Sequence, residues 1–181
     1  MIIKKLPIEN SLRIETEPVI DNRGEFTRLF CSLELKKYLN NKNIVQINYS
    51  QNKYRGTIRG LHFQHRPNQE IKLISCIKGR VFDVIVDLRK DSSTFLKWHA
   101  EELSEFDQKI ILIPEGCAHG FQVIDDYSDL IYFHSEYYNP EYEDGVQYND
   151  PTININWPIE PEYLSERDKS YPYLGNDFIG Y

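Results

Sequence analysis

The stretch IRGLHFQ, residues 58–64, sets Arg59 and His62 three positions apart in an otherwise apolar run. An imidazole exchanges a proton near neutral pH, and a guanidinium is a fixed cation with several donors. Both are costly inside a strand, and Gly60 between them weakens a strand interior. Together they argue for a strand that lines a cavity. A period of two puts Arg59 and His62 on opposite faces, so both reach one site only if Gly60 permits a bulge or twist, or the arginine curls round an edge.

A second segment, LIYFHSEYY (130–138), places Tyr132, His134, Glu136 and Tyr138 on one face and Ile131, Phe133 and Tyr137 on the other. A barrel strand with an apolar face on the core and a polar aromatic face toward a cavity reads this way, as does an outer strand with a wet tyrosine face. His62, His65 and His119 offer nitrogen ligands for a metal, but His62 and His65 are three apart and diverge on a regular strand. A hydrogen-bonded structural histidine is the other reading of His62.

The elements that position these residues are short strands. VFDVIVDL (81–88) alternates Phe82, Val84, Val86 and Leu88 with Asp83 and Asp87, which predicts a half-buried strand. KIILIP (109–114) predicts a buried strand leading into a loop, EGCAHG. RKDSST and LSEFDQ carry the residues of connections. Only SLELKKYLN (32–40) reads as helical, with Ser32 as its cap and Leu35, Tyr38 and Leu39 at helical spacing. The last stretch, WPIEPEYLSERDKSYPYLGNDFIGY, predicts a packed extension with at most a turn of helix. Repeated strands separated by turn signals predict an all-β antiparallel sandwich or barrel.

The 181 residues suit one domain, 1–181. A net charge of −7 leaves no basic stripe for nucleic acid. Cys31, Cys76 and Cys117 have no CxxC spacing and read as small core hydrophobes in a reducing compartment. With no signal peptide and no long apolar run, a cytoplasmic protein without membrane contact is expected.

In order along the chain, RGLHFQ, KL..C..G.VFDVIVDLR..S.T, IPEGCAHGF, Y....YY.PE.E.G, YNDP.I.I.WP and LSERDK resemble the dTDP-4-dehydrorhamnose 3,5-epimerases. The match runs from about residue 19 to residue 174. The resemblance implies a cupin-type antiparallel jelly-roll barrel with a few short helices, a homodimer, no cofactor and no metal. It implies a nucleoside-diphosphate 4-keto-6-deoxy sugar as substrate, inverted at C3 and C5 through an enolate. His62 matches the family's base, Asp168 the carboxylate that orients it, Tyr132 the acid on the far face and Lys72 the cation at the oxyanion. His119 lies in the corresponding loop, against the sugar. Arg59 and Arg23 match diphosphate contacts, Gln46 and Asn48 polar contacts, Tyr138 an aromatic near the base and Glu143 a further contact. Arg167 stands where the family usually has lysine.

One segment departs from the pattern. The family's F-x-D-x-R-G-x-F-x-E reads VIDNRGEFTR here, with Val19 for phenylalanine and Arg28 for glutamate. The resemblance implies that the partner subunit contributes this 19–30 segment over the nucleotide. A guanidinium in place of a carboxylate reverses what the base edge meets, leaving the nucleobase open. A single-centre epimerase, a metal-dependent cupin enzyme and a non-catalytic sugar-nucleotide binder are the alternatives.

Overall fold

The computed structural model describes residues 1–175 and 177–181. One sheet holds six strands in the order β1 (Ile2–Lys5), β2 (Leu12–Glu15), β10 (Lys109–Ile113), β7 (Lys72–Lys78), β12 (Ser128–His134) and β5 (Gln46–Asn52). A second holds β13 (Glu143–Gly145), β6 (Ile58–Gln64), β11 (Cys117–Val123), β8 (Arg80–Asp87) and β9 (Trp98–Ser104). A ribbon of β3 (Val19–Asp21) and β4 (Gly24–Phe26) stands apart. The strand pairings are antiparallel, and neighbours in each sheet are mostly distant in sequence, the jelly-roll arrangement expected. Among the described residues, no helix is long and apolar enough to cross a membrane.

Apolar side chains of both sheets meet between them: Ile74, Ile111, Ile113 and Leu130 from one, and Val81, Ile85, Leu103 and Phe121 from the other. Each sheet is also covered on its outer side. Leu35 and Leu39 pack on Leu12, Leu73, Leu112 and Phe133, whereas Ile153, Ile155, Trp157 and Phe178 of the C-terminal extension pack on Leu61, Val84 and Val86. Burial on both faces explains why β10 is a continuous apolar run rather than an alternating one.

It also corrects the reading of residues 81–88. Phe82, Val84, Val86 and Leu88 lie under the C-terminal extension, and the opposite face, with Asp83 and Asp87, points inward rather than to water. Asp87 accepts hydrogen bonds from Arg89, Ser92 and Thr94 and so organises the 89–94 connection. The helical segment is shorter than expected: α1 (Ser32–Leu35) passes into a 3-10 turn at Lys36–Tyr38. Ser32 is already inside the helix, and the cap position falls on Cys31, whose side chain makes no capping bond. Burial of Leu35 and Leu39 fixes this segment, not a cap.

Of the ways to bring Arg59 and His62 to one site, the structure uses a bulge at Gly60. His62 pairs with His119 but Arg59 with Phe121, so β6 carries one more residue than β11 between these pairs. Gly60 has φ +124°, and a Cβ there would sit 2.6 Å from the Gly120 Cα and 2.8 Å from the His119 carbonyl oxygen. Gly60→Ala is therefore expected to cost about 2–3 kcal/mol, lowering the melting temperature by roughly 4–12 °C in a thermal scan. A melting temperature within a degree of the parent would show that the strands can separate at no cost.

Candidate active site

A cleft of about 460 Å³ opens between the two sheets. From the five-stranded sheet it receives Arg59, His62, His119, Phe121 and Glu143, and from the six-stranded sheet Gln46, Asn48, Lys72, Tyr132 and His134. The bulge at Gly60 sets Arg59 and His62 on the same wall, as a regular strand would not.

His62 owes its orientation to the C-terminal extension. The Ile58 backbone N–H donates to the Tyr163 carbonyl, which draws this segment along β6 and delivers α2 (Glu166–Ser170) to the cleft. Ser165 caps α2 by accepting from the Asp168 N–H at 3.0 Å, and the Asp168 side chain turns inward, 3% exposed. Asp168 Oδ1 lies 2.8 Å from His62 Nε2, and its Oδ2 accepts from the Gly60 N–H at 3.3 Å. Burial works to raise the Asp168 pKa, but the bond from His62 and its charge outweigh this and hold the carboxyl below its ordinary range. An ionised acceptor at Nε2 leaves the proton on that nitrogen and Nδ1 as the basic atom.

His119 is on strand β11, not in a loop as the sequence suggested; the turn closes before Cys117, and an apolar barrel wall continues through Ala118 to Val123. Its Nε2 is 2.7 Å from Asp83 Oδ2, with both side chains buried. Burial lowers the His119 pKa more than Asp83 raises it, so the ring is neutral at neutral pH. Tyr132 stands edge-on to His119 at 6.0 Å between ring centroids. Burial and the nearby Asp83 charge push the Tyr132 phenol well above its usual value, against the pull of Arg59, so it holds its proton at neutral pH.

Lys72 is 8% exposed, with its ammonium 3.2 Å from Glu70 and 3.4 Å from the His62 carbonyl oxygen. At the rim, Arg167 Nη1 and the Tyr138 hydroxyl both donate to Glu143 Oε2, at 2.7 and 2.9 Å. Arg59 Nε donates to Asn52 Oδ1 at 2.7 Å. Among the described residues no three His, Cys, Asp or Glu side chains are grouped to hold a metal ion. His62, His65 and His119 each face a different carboxylate, Asp168, Asp144 and Asp83, and so do not converge.

Eleven of the thirteen sequence-selected residues thus meet at one place: His62, Tyr132, Lys72, Gln46, Asn48, Arg59, His119, Tyr138, Glu143 and Arg167 on the cleft, and Asp168 behind His62. Arg23 and Arg28 do not. Arg23 is on the exposed ribbon, bound to Asp21 at 2.6 Å, and Arg28 is bound to Glu34 at 2.9 Å. Each guanidinium is held by a carboxylate of its own segment, away from this chain's cleft. Three residues that matter escaped selection: Asp83, Glu70 and the imidazole of His134. Asp83 carried a legible signal, a lone carboxylate inside an apolar strand, which burial obliges to find a donor.

The chain matches the family model described as dTDP-4-dehydrorhamnose 3,5-epimerase over residues 5–176. It is 38% identical to the dTDP-4-dehydrorhamnose 3,5-epimerase of Salmonella typhimurium over 177 residues, 96% of each chain. It superposes with a TM-score of 0.91 and 37% identity on the dTDP-4-dehydrorhamnose 3,5-epimerase of Bacillus anthracis with TDP and pyrophosphate bound, covering 95% of this chain and 98% of that one. A TM-score of 0.89 and 36% identity relate it to dTDP-6-deoxy-D-glucose-3,5-epimerase of Legionella pneumophila in complex with dTDP-4-keto-L-rhamnose, with 94% and 91% covered.

Proposed function

This chain belongs to the dTDP-4-dehydrorhamnose 3,5-epimerase family, and from that premise we infer that it is an isomerase inverting C3 and C5 of dTDP-4-keto-6-deoxyglucose. The C4 ketone acidifies the hydrogens on both neighbouring carbons through one enolate. His62 Nδ1 takes a proton from carbon, and Asp168 stabilises the imidazolium that forms. The Lys72 ammonium faces the oxygen as negative charge collects there. Tyr132 returns a proton to the opposite face of the carbon, and solvent restores both groups. Neutral His119 presents its free Nδ1 to a sugar hydroxyl.

Arg59 and the partner subunit's Arg23 clasp the diphosphate by bidentate bonding, with the cation of Arg167 and the amides of Gln46 and Asn48 beside them. Tyr138, tethered by Glu143, stacks near the base. No metal or cofactor enters this scheme, and the whole of 1–181 serves as one domain. What supports it above all is that the His62–Asp168 dyad and the protonated Tyr132 phenol rise from opposite sheets of a single cleft. Inversion needs a base and an acid on opposite faces.

Proton NMR of the chelator-treated protein in deuterated water, with dTDP-4-keto-6-deoxyglucose, tests the reading. Deuterium is expected at both C3 and C5. Label at one carbon would make this a single-centre epimerase, and loss of activity on chelation would replace the scheme with a metal-dependent one.

The chain works as a homodimer in this reading, with segment 19–30 reaching over the partner's nucleotide. Val19, Ile20 and Phe26 are 67%, 71% and 77% exposed, an apolar ribbon that none of the described residues covers. Three free thiols suit a reducing compartment, and we place the enzyme in the cytoplasm of its cell. Mixing Arg23→Ala with His62→Ala protein, each nearly inactive, should restore about a quarter of parental activity, since random pairing gives half heterodimers with one intact site each. No recovery, or a monomer by light scattering, would remove the shared site.

A further inference from the structure

The wall facing His62 carries a hydrogen-bonded chain that the proton transfers do not use. Strand register sets Lys72, His134 and Gln46 in a row across β7, β12 and β5, with Tyr132 beside Asn48 in the next row. Glu70, which precedes β7, is 8% exposed and has its Oε1 3.2 Å from the Lys72 ammonium and its Oε2 2.7 Å from His134 Nδ1. The His134 ring is stacked at 5.9 Å and 10° on Tyr132. Its Nε2 lies 3.3 Å from Asn48 Nδ2; Asn48 Oδ1 accepts from Gln46 Nε2 at 3.2 Å; and Gln46 Oε1 accepts from the Tyr138 backbone N–H at 3.1 Å.

The chain has a direction. A backbone N–H only donates, so Gln46 must present its oxygen to Tyr138 and its amide nitrogen to Asn48. At the other end an ionised carboxylate only accepts, so the His134 ring must donate to it from Nδ1, which in the uncharged tautomer leaves a lone pair at Nε2. Both ends demand the same orientation of the two amides. Each amide oxygen is then spent within the chain, and each amide nitrogen keeps one N–H for the cleft.

We propose that Glu70 and His134 are positioning residues that lock Asn48 and Gln46 with their N–H groups toward the ligand, making this wall a donor surface for the diphosphate of the sugar nucleotide. A free amide turns over easily, and an amide oxygen facing a phosphate would repel it. The proposal rests on the cleft's reading as a sugar-nucleotide site for its ligand, not for the orientation itself. The same chain links Lys72, at the reacting sugar, to Tyr138, near the base.

Two measurements test it. Nitrogen-15 NMR of the histidine rings in the ligand-free parent, with His134 assigned by its loss in His134→Phe, should show a protonated Nδ1 and a bare Nε2 at neutral pH. A proton on Nε2, in either the other tautomer or the imidazolium, overturns the proposal whatever the substrate is. Second, His134→Phe keeps the ring on Tyr132 but removes the acceptor. It should raise KM and the dissociation constant of dTDP by about 10-fold or more, the scale of a charge-assisted hydrogen bond, with a much smaller change in kcat. His134→Gln, whose carbonyl can reach the place of Nε2, should recover most of that affinity, and His134→Asn, which keeps only the donor to Glu70, should not. Parental dTDP affinity in His134→Phe, or equal loss in the Gln and Asn variants, overturns it. If the parent itself binds no dTDP, the sugar-nucleotide reading fails, while the ring nitrogens still decide the orientation.

Discussion

In deuterated buffer His62→Ala should leave C3 and C5 of the 4-keto sugar unlabelled, with kcat lower by about 10²–10⁴-fold, the span of a positioned general base. Dissociation of dTDP should change little. The reason lies in how the cleft is built: His62 is joined to Asp168 and Gly60 through one buried carboxylate, whereas Arg59 is held on Asn52 and Arg167 mainly on Glu143, with its Nε 3.7 Å from Asp168 Oδ1. Arg167 Nη2 does approach His62 Nε2 at 3.4 Å, but an arginine cannot accept the proton that Nε2 gives to Asp168. Removing the imidazole therefore removes proton abstraction without dismantling the nucleotide subsite. Deuterium entering either carbon at an undiminished rate would show that another group is the base; His119, neutral and also facing the cleft, would be examined next.

The reach of the sequence can be judged from the same residues. The strands were legible because alternation and short apolar runs are local properties, and a bulge at Gly60 was one of the ways to bring Arg59 and His62 to one wall. Strand 81–88 was misjudged because a period of two reports where polar residues sit, not whether something else covers them. Asp83 and Asp87 point inward, Asp83 with its Oδ2 on His119 and Asp87 held by Arg89, Ser92 and Thr94, partners brought close only when the chain folds or hidden in a connection. His119 fell into a loop because Gly116 and Gly120 look like turn residues, although Gly120 sits within a strand where it lets β6 approach closely. The Asp168 pairing was reachable only through the family's motif, since 106 residues separate it from His62. Arg23 and Arg28 show the opposite limit. The resemblance assigned their segment to a partner's site, and in this chain they sit away from its own cleft, Arg23 beside Asp21 and Arg28 beside Glu34.

Tyr132→Phe should separate exchange from inversion. The substitution keeps the ring between His119 and His134 and removes only the hydroxyl, so the cleft's shape is retained. His62 can still take a proton from carbon, and the imidazolium, after trading its proton with solvent, can return deuterium to the same face. Label should then accumulate in unconverted substrate while inverted product falls by about 10²-fold or more, the usual contribution of a positioned acid. The direction of the Tyr132 pKa supports this assignment. Burial first, and then the Asp83 carboxylate, keep the phenol protonated far above neutral pH, so the proton is present whenever an enolate forms. With Lys72 on the adjacent strand facing the same cleft, the oxygen's charge is expected to be held meanwhile, so enolate formation should not depend on Tyr132. Comparing the deuterium content of recovered substrate with the yield of inverted sugar in one NMR time course reads both quantities. Equal losses in exchange and inversion would mean that Tyr132 assists proton removal itself, and the acid on the far face would have to be sought in water or another group on the six-stranded wall.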